Sequence, residues 1–413
     1  MTPTFSTALP ASRLLALVTG LAVLAALPAA AQSSEGPKWY ERLRFDGDLR
    51  LRYDLTYLDA APAGPSDGDS RGRLRFRFRF GLTAPITKTV TAGVRLTSNE
   101  GNDPTSGNVT LGSAAAPKTI QLDRAFITWA PTTRVSITGG KFASPLYRPA
   151  AVFRSEMVHD EDFSPDGLSQ TFVPVKHPSG LLRALTVHLA QWYLQEFSKS
   201  SDVWMLGGQG VLDLAPGARS HLNLAGGYLH YVNGPLLAQA RNTNNQLKVT
   251  HSVVLKDGSV VPGGTLLQPS STNPFDHFVS DFRILSGSVA WRQDKIFGET
   301  ALQLFAEAAE NTGAAQDRNA FSVGVGLDRL RKIPGWSAAA VWTHVEQESV
   351  LSMFSYSDLG LGGTNQQGAV LQAQYRPNQN ITFSARHHVV KPIRVVDLEG
   401  PTQRLQVDVS VAF

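Results

Sequence analysis

Five arginines, Arg71, Arg73, Arg75, Arg77 and Arg79, stand two residues apart in the stretch RGRLRFRFRFGLTA. Three more, Arg44, Arg50 and Arg52, share a similar rhythm upstream, and Arg95 follows downstream. A guanidinium stays protonated at any working pH and binds carboxylate or phosphate through two parallel hydrogen bonds. Arg44, Arg50, Arg52, Arg73, Arg75, Arg77, Arg79 and Arg95 brought onto one face would form a column that guides anions. Paired instead with Asp46, Asp48, Asp54 and loop acids, the same residues would make a rigid wall of little selectivity.

The densest acidic cluster is Glu156-Met157-Val158-His159-Asp160-Glu161-Asp162-Phe163-Ser164-Pro165-Asp166. Glu156, Asp160, Glu161, Asp162 and Asp166 could set a negative potential opposite the arginines, remain a solvated surface loop, or offer hard oxygen ligands to a divalent cation. His387-His388 resembles half of a metal site, but strand neighbours point to opposite faces and cannot readily share a metal. No Gly-rich phosphate loop, zinc spacing or nucleophile elbow occurs, so neither a cofactor nor a catalytic residue is expected.

The elements that must carry these residues follow from the spacing. Between the arginines lie Leu74, Phe76, Phe78, Phe80, Leu82 and Ala84, and a period of two describes a β-strand whose faces meet different solvents. Arginines about 7 Å apart repel by roughly 0.6 kcal/mol in water, whereas each one turned into lipid costs about 2–4 kcal/mol near the midplane. Leu43 to Tyr57 repeats the pattern, and Val90, Ala92, Val94 and Leu96 continue it, which gives a meander with one greasy and one charged side. Ile120 to Trp129 is ambiguous in facing because Asp123 and Arg124 are adjacent. Continued to the C-terminus, the pattern predicts about sixteen strands, joined alternately by short, often Pro-containing turns and by longer loops. Outer-membrane barrels show this alternation of short periplasmic turns and long external loops.

A final strand, Thr402 to Phe413, sets Leu405, Val407, Val409 and Val411 against Arg404, Gln406, Asp408 and Ser410. It could pair with the first strand and remove both edges. The expected fold is therefore an all-β, transmembrane, antiparallel up-and-down β-barrel. Aromatics near strand ends, among them Trp129, Trp192, Trp291, Trp336 and Tyr375, would fit interfacial girdles. The loop spanning 143–167 is expected to fold into the lumen. The long loop 232–277 carries Asp257-Gly258 between β-branched runs, a signal for an external hairpin or for two further wall strands, which would raise the count to eighteen.

Residues 1–31 read as a cleaved signal peptide. Arg13 precedes an apolar run from Leu14 to Leu27 that is shorter than the roughly 20 residues of a membrane span, and small residues lead to a cut after Ala31. Residues 32–413 would then be a single domain in the cell outer membrane. Removing Arg13 leaves 37 basic and 34 acidic residues, a near balance that makes no case for nucleic acid as a partner. Cysteine is absent, so stability must come from hydrogen bonding and packing rather than disulfides.

FDGDLRLRYD, RGRLRFRFRFGLTAPITKTVTAGVRLTS, LDRAFITWAP, GGKFASP and HDEDFSPDG resemble, in this order, the putative porin family of Gram-negative bacteria, over about the first third of the mature chain. The resemblance implies a non-enzymatic channel in outer-membrane lipid, distantly similar to phosphate- and polyphosphate-selective porins, with the solute left open. Barrels of this strand number are often trimers, and in many porins the third external loop narrows the channel. The leading expectation is passive diffusion of small hydrophilic solutes with a lean to anions. An exporter of acidic polysaccharide, a surface adhesin and an outer-membrane hydrolase using His344, His387 or His388 are the alternatives.

Overall fold

Arginine and phenylalanine do separate by parity. In the computed structural model, which describes residues 38–58, 70–101, 103–198, 200–240, 252–254, 260–262, 267–268, 277–360, 362–394 and 401–413, sixteen strands close into one antiparallel ring. The expected cut after Ala31 lies outside the described residues, and residues 38–41 belong to a separate N-terminal unit.

In chain order the wall is β1 (Arg44–Leu58), β2 (Ser70–Pro85), β3 (Val90–Ser98), β4 (Ile120–Thr132), β5 (Val135–Lys141), β6 (Asp166–Lys176), β7 (Leu182–Gln195) and β8 (Val203–Gly217). It continues through β9 (Ser220–Val232), β10 (Phe282–Phe297), β11 (Thr300–Asn311), β12 (Asn319–Asp328), β13 (Gly335–Val345), β14 (Gln366–Arg376), β15 (Ile381–Pro392) and β16 (Thr402–Ala412). Each strand pairs with its neighbours in sequence, and β16 pairs back onto β1 from Asp48↔Ala412 to Leu58↔Thr402. Closure leaves no strand edge to template aggregation. Phe413 finishes the seam, exchanging backbone hydrogen bonds with Gly47. Its ring lies where a Cβ on Gly47 would sit, 2.6 Å away, so only glycine admits it.

Along β1 and β2 the apolar residues share the outer face: Tyr53 stands opposite Leu74, Leu51 opposite Phe76 and Leu49 opposite Phe78. Leu51 and Leu74 are exposed there, while Arg50, Arg52, Asp54 and Arg77 on the other parity are buried. The adjacency of Asp123 and Arg124 is resolved by a β-bulge. Arg95 pairs with Arg124 and Leu96 with Leu122, so Asp123 is the extra residue that lets the strand turn both charges towards Arg95.

Most aromatics at strand ends lie on the outer parity, but Trp192 does not. It shares the inner face of β7 with His188 and Ala190, is fully buried, and donates its indole N–H to Ser169 Oγ at 2.9 Å. A further ladder not foreseen from the pattern is Val109–Thr110, which pairs with Phe76 and Arg75 of β2 beyond the end of β3. In the long 232–277 connection the described residues Ser252–Val254 pair with Val260–Pro262 as a local hairpin.

Candidate functional site: an arginine face met by two acidic loops

The inner face of β1, β2 and β16 sets like charges opposite one another, Arg50 against Arg77 and Arg52 against Arg75. Such a face holds only if acids reach it, because an unpaired buried charge costs several kcal/mol. Some of these acids are its own. Asp48 accepts from Arg79 Nε at 2.6 Å and Arg77 Nη2 at 3.2 Å. Asp408 takes Arg52 in a two-pronged pair at 2.7 and 2.8 Å, and Asp54 takes Arg404 at 2.8 and 2.7 Å. Arg73 also donates to Asp54 at 2.8 Å, with Arg75 3.5 Å from the same oxygen.

The remaining acids arrive on two long connections. From the β5–β6 loop, Asp162 lies 3.3 Å from both Arg77 and Arg79, and Glu161 lies 3.7 Å from Arg77. From the β13–β14 loop, Asp358 bridges Arg52 at 2.7 Å and Arg404 at 3.0 Å. Burial resists ionisation of both aspartates, but Arg77 and Arg79 around Asp162, and Arg404 and Arg52 around Asp358, outweigh it and hold each carboxyl below the usual range.

These loops touch both sides of the ring. In the β5–β6 loop Tyr147 is clamped by Gln209 of β8, which accepts from its amide at 2.7 Å and donates to its carbonyl at 3.0 Å. At its tip a two-residue ladder, Ala150–Ala151 against Phe153–Arg154, turns on Val152 at φ 75°, a strained conformation for a β-branched residue. The tip is held by Gln303 of β11, which accepts from the Val152 amide at 3.0 Å. It presses on Gly326 of β12, where a Cβ would meet Val152 at 2.8 Å.

His159 stacks on Phe163 and meets Tyr231 Oη at 2.9 Å. Burial and then Arg148 push its imidazolium down to about 3, so it is neutral. The two loops lock together through Phe163 and Phe354, 4.8 Å apart between ring centres, and through the Asp160 amide, which donates to the Phe354 carbonyl at 2.8 Å.

The residues singled out in the sequence are therefore not all gathered. Arg50, Arg52, Arg73, Arg75, Arg77 and Arg79 stand on one face with Asp162 and Glu161. Arg95 pairs with Asp123, one strand away. Arg44 sits at the short-turn end of β1, opposite Thr83. Glu156 accepts from the Glu161 amide at 3.1 Å, while Asp160 receives the amides of Asp162 and Ser357. Asp166 opens β6 instead of lying in the loop, because its pairing with Lys141 extends the β5–β6 ladder, and it lies 3.3 Å from the Lys141 ammonium. His387 and His388 take opposite faces, His387 near Gln403 at 3.3 Å and His388 buried inside.

A family profile described as "Putative porin" matches residues 59–258 and 281–413. The chain belongs to that family. The porin has the fold of OprB from Pseudomonas putida in its high-pH structure, at 12% identity and a TM-score of 0.55, covering 90% of this chain and 94% of that one. The outer membrane channel DcaP of Acinetobacter baumannii (10% identity, TM-score 0.48) and an anion-selective porin from Comamonas acidovorans (10%, 0.47) each cover 90% of this chain, over 97% and 100% of their own. No curated protein matches the sequence.

Family and fold make this porin an outer-membrane channel barrel. Among the residues that complete its charged face, Arg404 and Asp408 were visible as the polar parity of the last strand. Asp358 and Asn108, which accepts from Arg50 Nη2 at 2.7 Å, sit in loops with no pattern to mark them.

Proposed function

We propose that this porin passes small hydrophilic solutes by diffusion with a preference for anions. In this reading the arginine face, with Asp162 and Glu161 of the 142–165 loop docked on Arg77 and Arg79, forms one side of the narrowest section. The observation that carries the reading is Arg50. Its guanidinium is buried beside Arg77 and Arg52, is hydrogen-bonded to neutral Asn108, and has no carboxylate within 4.0 Å among the described residues. The neighbouring arginines are largely offset by Asp48, Asp54, Asp162, Asp358 and Asp408. The preference therefore falls to the few cations that are not, and it is modest.

Reversal potentials of the barrel in a planar bilayer under a KCl gradient test this directly. The expected result is ohmic single-channel steps with chloride preferred, and a shift towards potassium in Arg50→Gln. Steps with potassium preferred in the parent protein would remove the anion preference, and the absence of any ohmic step would remove the channel itself.

A further inference from the structure

A cavity of about 250 Å³ lies between the β5–β6 loop and the inner wall of β8 to β11. It exists because that wall is lean: Gly227 and Ser286 are opposite one another in register and contribute almost no side chain. Guanidinium and carboxylate groups both line it, and most are already engaged. Asp160 receives the amides of Asp162 and Ser357, and Glu161 faces Arg77. Arg124 donates to Ser164 Oγ at 3.2 Å and lies 3.7 Å from Asp123.

Three side chains are left over, one acid and two arginines. Glu307 of β11 has a buried carboxylate oxygen, Oε2, that meets no hydrogen-bond partner. Arg154 lies within 4.0 Å of no carboxylate among the described residues, and neither does Arg148, whose Nη1 donates only to the His159 carbonyl at 3.3 Å. Leu146, Val158 and Leu229 add an apolar side. A buried acceptor without a donor costs the full desolvation of the group, so a ligand that supplies the donor recovers it.

We propose that this cavity is a binding site for a zwitterionic amino acid with an aliphatic side chain. The ammonium would meet Glu307, the carboxylate Arg148 and Arg154, and the side chain Leu146, Val158 and Leu229. The inference deepens the channel reading by naming a solute class. Neither charge alone satisfies the site: a bare carboxylate leaves Glu307 unmatched, and a bare amine leaves the guanidiniums unmatched.

L-leucine, 4-methylpentanoate (leucine without its ammonium) and 3-methylbutylamine (leucine without its carboxylate) separate the contributions. Titration calorimetry on the detergent-solubilised barrel should show leucine binding at least about tenfold tighter than either half-molecule, because a charge-assisted hydrogen bond is worth that much or more. Glu307→Gln should abolish the advantage of leucine over 4-methylpentanoate, and Arg154→Gln should diminish its advantage over the amine. Equal binding of all three, or none, overturns the site. Planar-bilayer recording in KCl keeps the two readings apart. A barrel that conducts but does not distinguish leucine retains the channel and loses the site. One that binds leucine but carries no current retains the site and loses the channel.

Discussion

The inside of the barrel has two unlike arcs. From β7 through β15, towards the long-loop end, the inner face carries an apolar cluster between polar residues such as Glu307 and His388: Trp192, Met205, Tyr231, Phe282, Ile284, Val345, Val370 and Val390 are buried there together. From β16 through β4 the inner face is guanidinium and carboxylate. Each inward loop reaches both arcs within a few residues. In the β5–β6 loop Phe163 joins the apolar cluster and Asp162, its neighbour, reaches Arg77. In the β13–β14 loop Phe354 joins it and Asp358 reaches Arg52. The apolar arc gains its energy from area removed from water and can anchor a loop firmly; the charged arc returns little net energy once desolvation is counted, and in the proposed function its role is selectivity. Each loop thus carries its apolar anchor and its charged contact within a few residues of one another.

Breaking the apolar arc should have the largest effect. Phe354→Ala removes a ring that is 5% exposed and packed on Phe163, at a cost of about 3–5 kcal/mol. Both loops should loosen, so single-channel conductance should rise and become noisy while the barrel still migrates as a folded band. A conductance equal to that of the parent protein would show that the loops do not limit the section.

The charged arc should respond differently. Asp358→Asn leaves Arg52 with Asp408 and Arg404 with Asp54, so no guanidinium loses its last carboxylate. The stability loss should stay at about 1–3 kcal/mol. Conductance should hardly change, because Phe354 and Leu351 still anchor the loop, while the reversal potential should move towards chloride by the removal of one negative charge. A rise in conductance as large as that of Phe354→Ala would merge the two arcs into one function.

How far this could be read in advance differs between the arcs. The arginine parity, the sixteen strands and the closing strand were legible because one face of each strand meets lipid, and lipid enforces an alternation that sequence displays. The apolar arc was not. A tryptophan near a strand end, such as Trp192, suits an interfacial girdle, yet its parity with His188 places it inside. Val350, Leu351, Met353 and Phe354 look like any loop stretch, since a plug packed on the inner wall has no period to announce it. Asp358 was invisible for the same reason, although Arg404 and Asp408, its neighbours on the wall, stood in plain alternation.

A smaller effect would sharpen the comparison at the tip that joins the arcs. Gly326→Ala sets a Cβ 2.8 Å from Val152 and 3.0 Å from the Ala151 carbonyl, so the tip must retreat by a few tenths of an ångström. Its hydrogen bond to Gln303 should weaken by about 1 kcal/mol, read as a slight drop in thermal stability with selectivity unchanged. A change of selectivity here would place the tip in the conducting path.

The smallest expected effect is a pH dependence to which the loop acid Glu156 contributes. Burial, with Asp160 and Glu161 adding to it, pushes the Glu156 carboxyl well above its usual 4.5, whereas Asp162 and Asp358 are held below theirs. On acidification Glu156 therefore binds its proton at a higher pH than the two aspartates, and the interior loses one negative charge while they stay ionised. Chloride preference should rise slightly on acidification, at pH values above the ordinary glutamate range, and should rise less over the same range in Glu156→Gln. The loop acids would then titrate in the order opposite to their contact with arginine, with Glu156, bonded to a backbone amide, before the arginine-bound aspartates. A parent protein whose reversal potential does not move until pH falls below about 4 would mean that Glu156 is an ordinary solvated carboxylate.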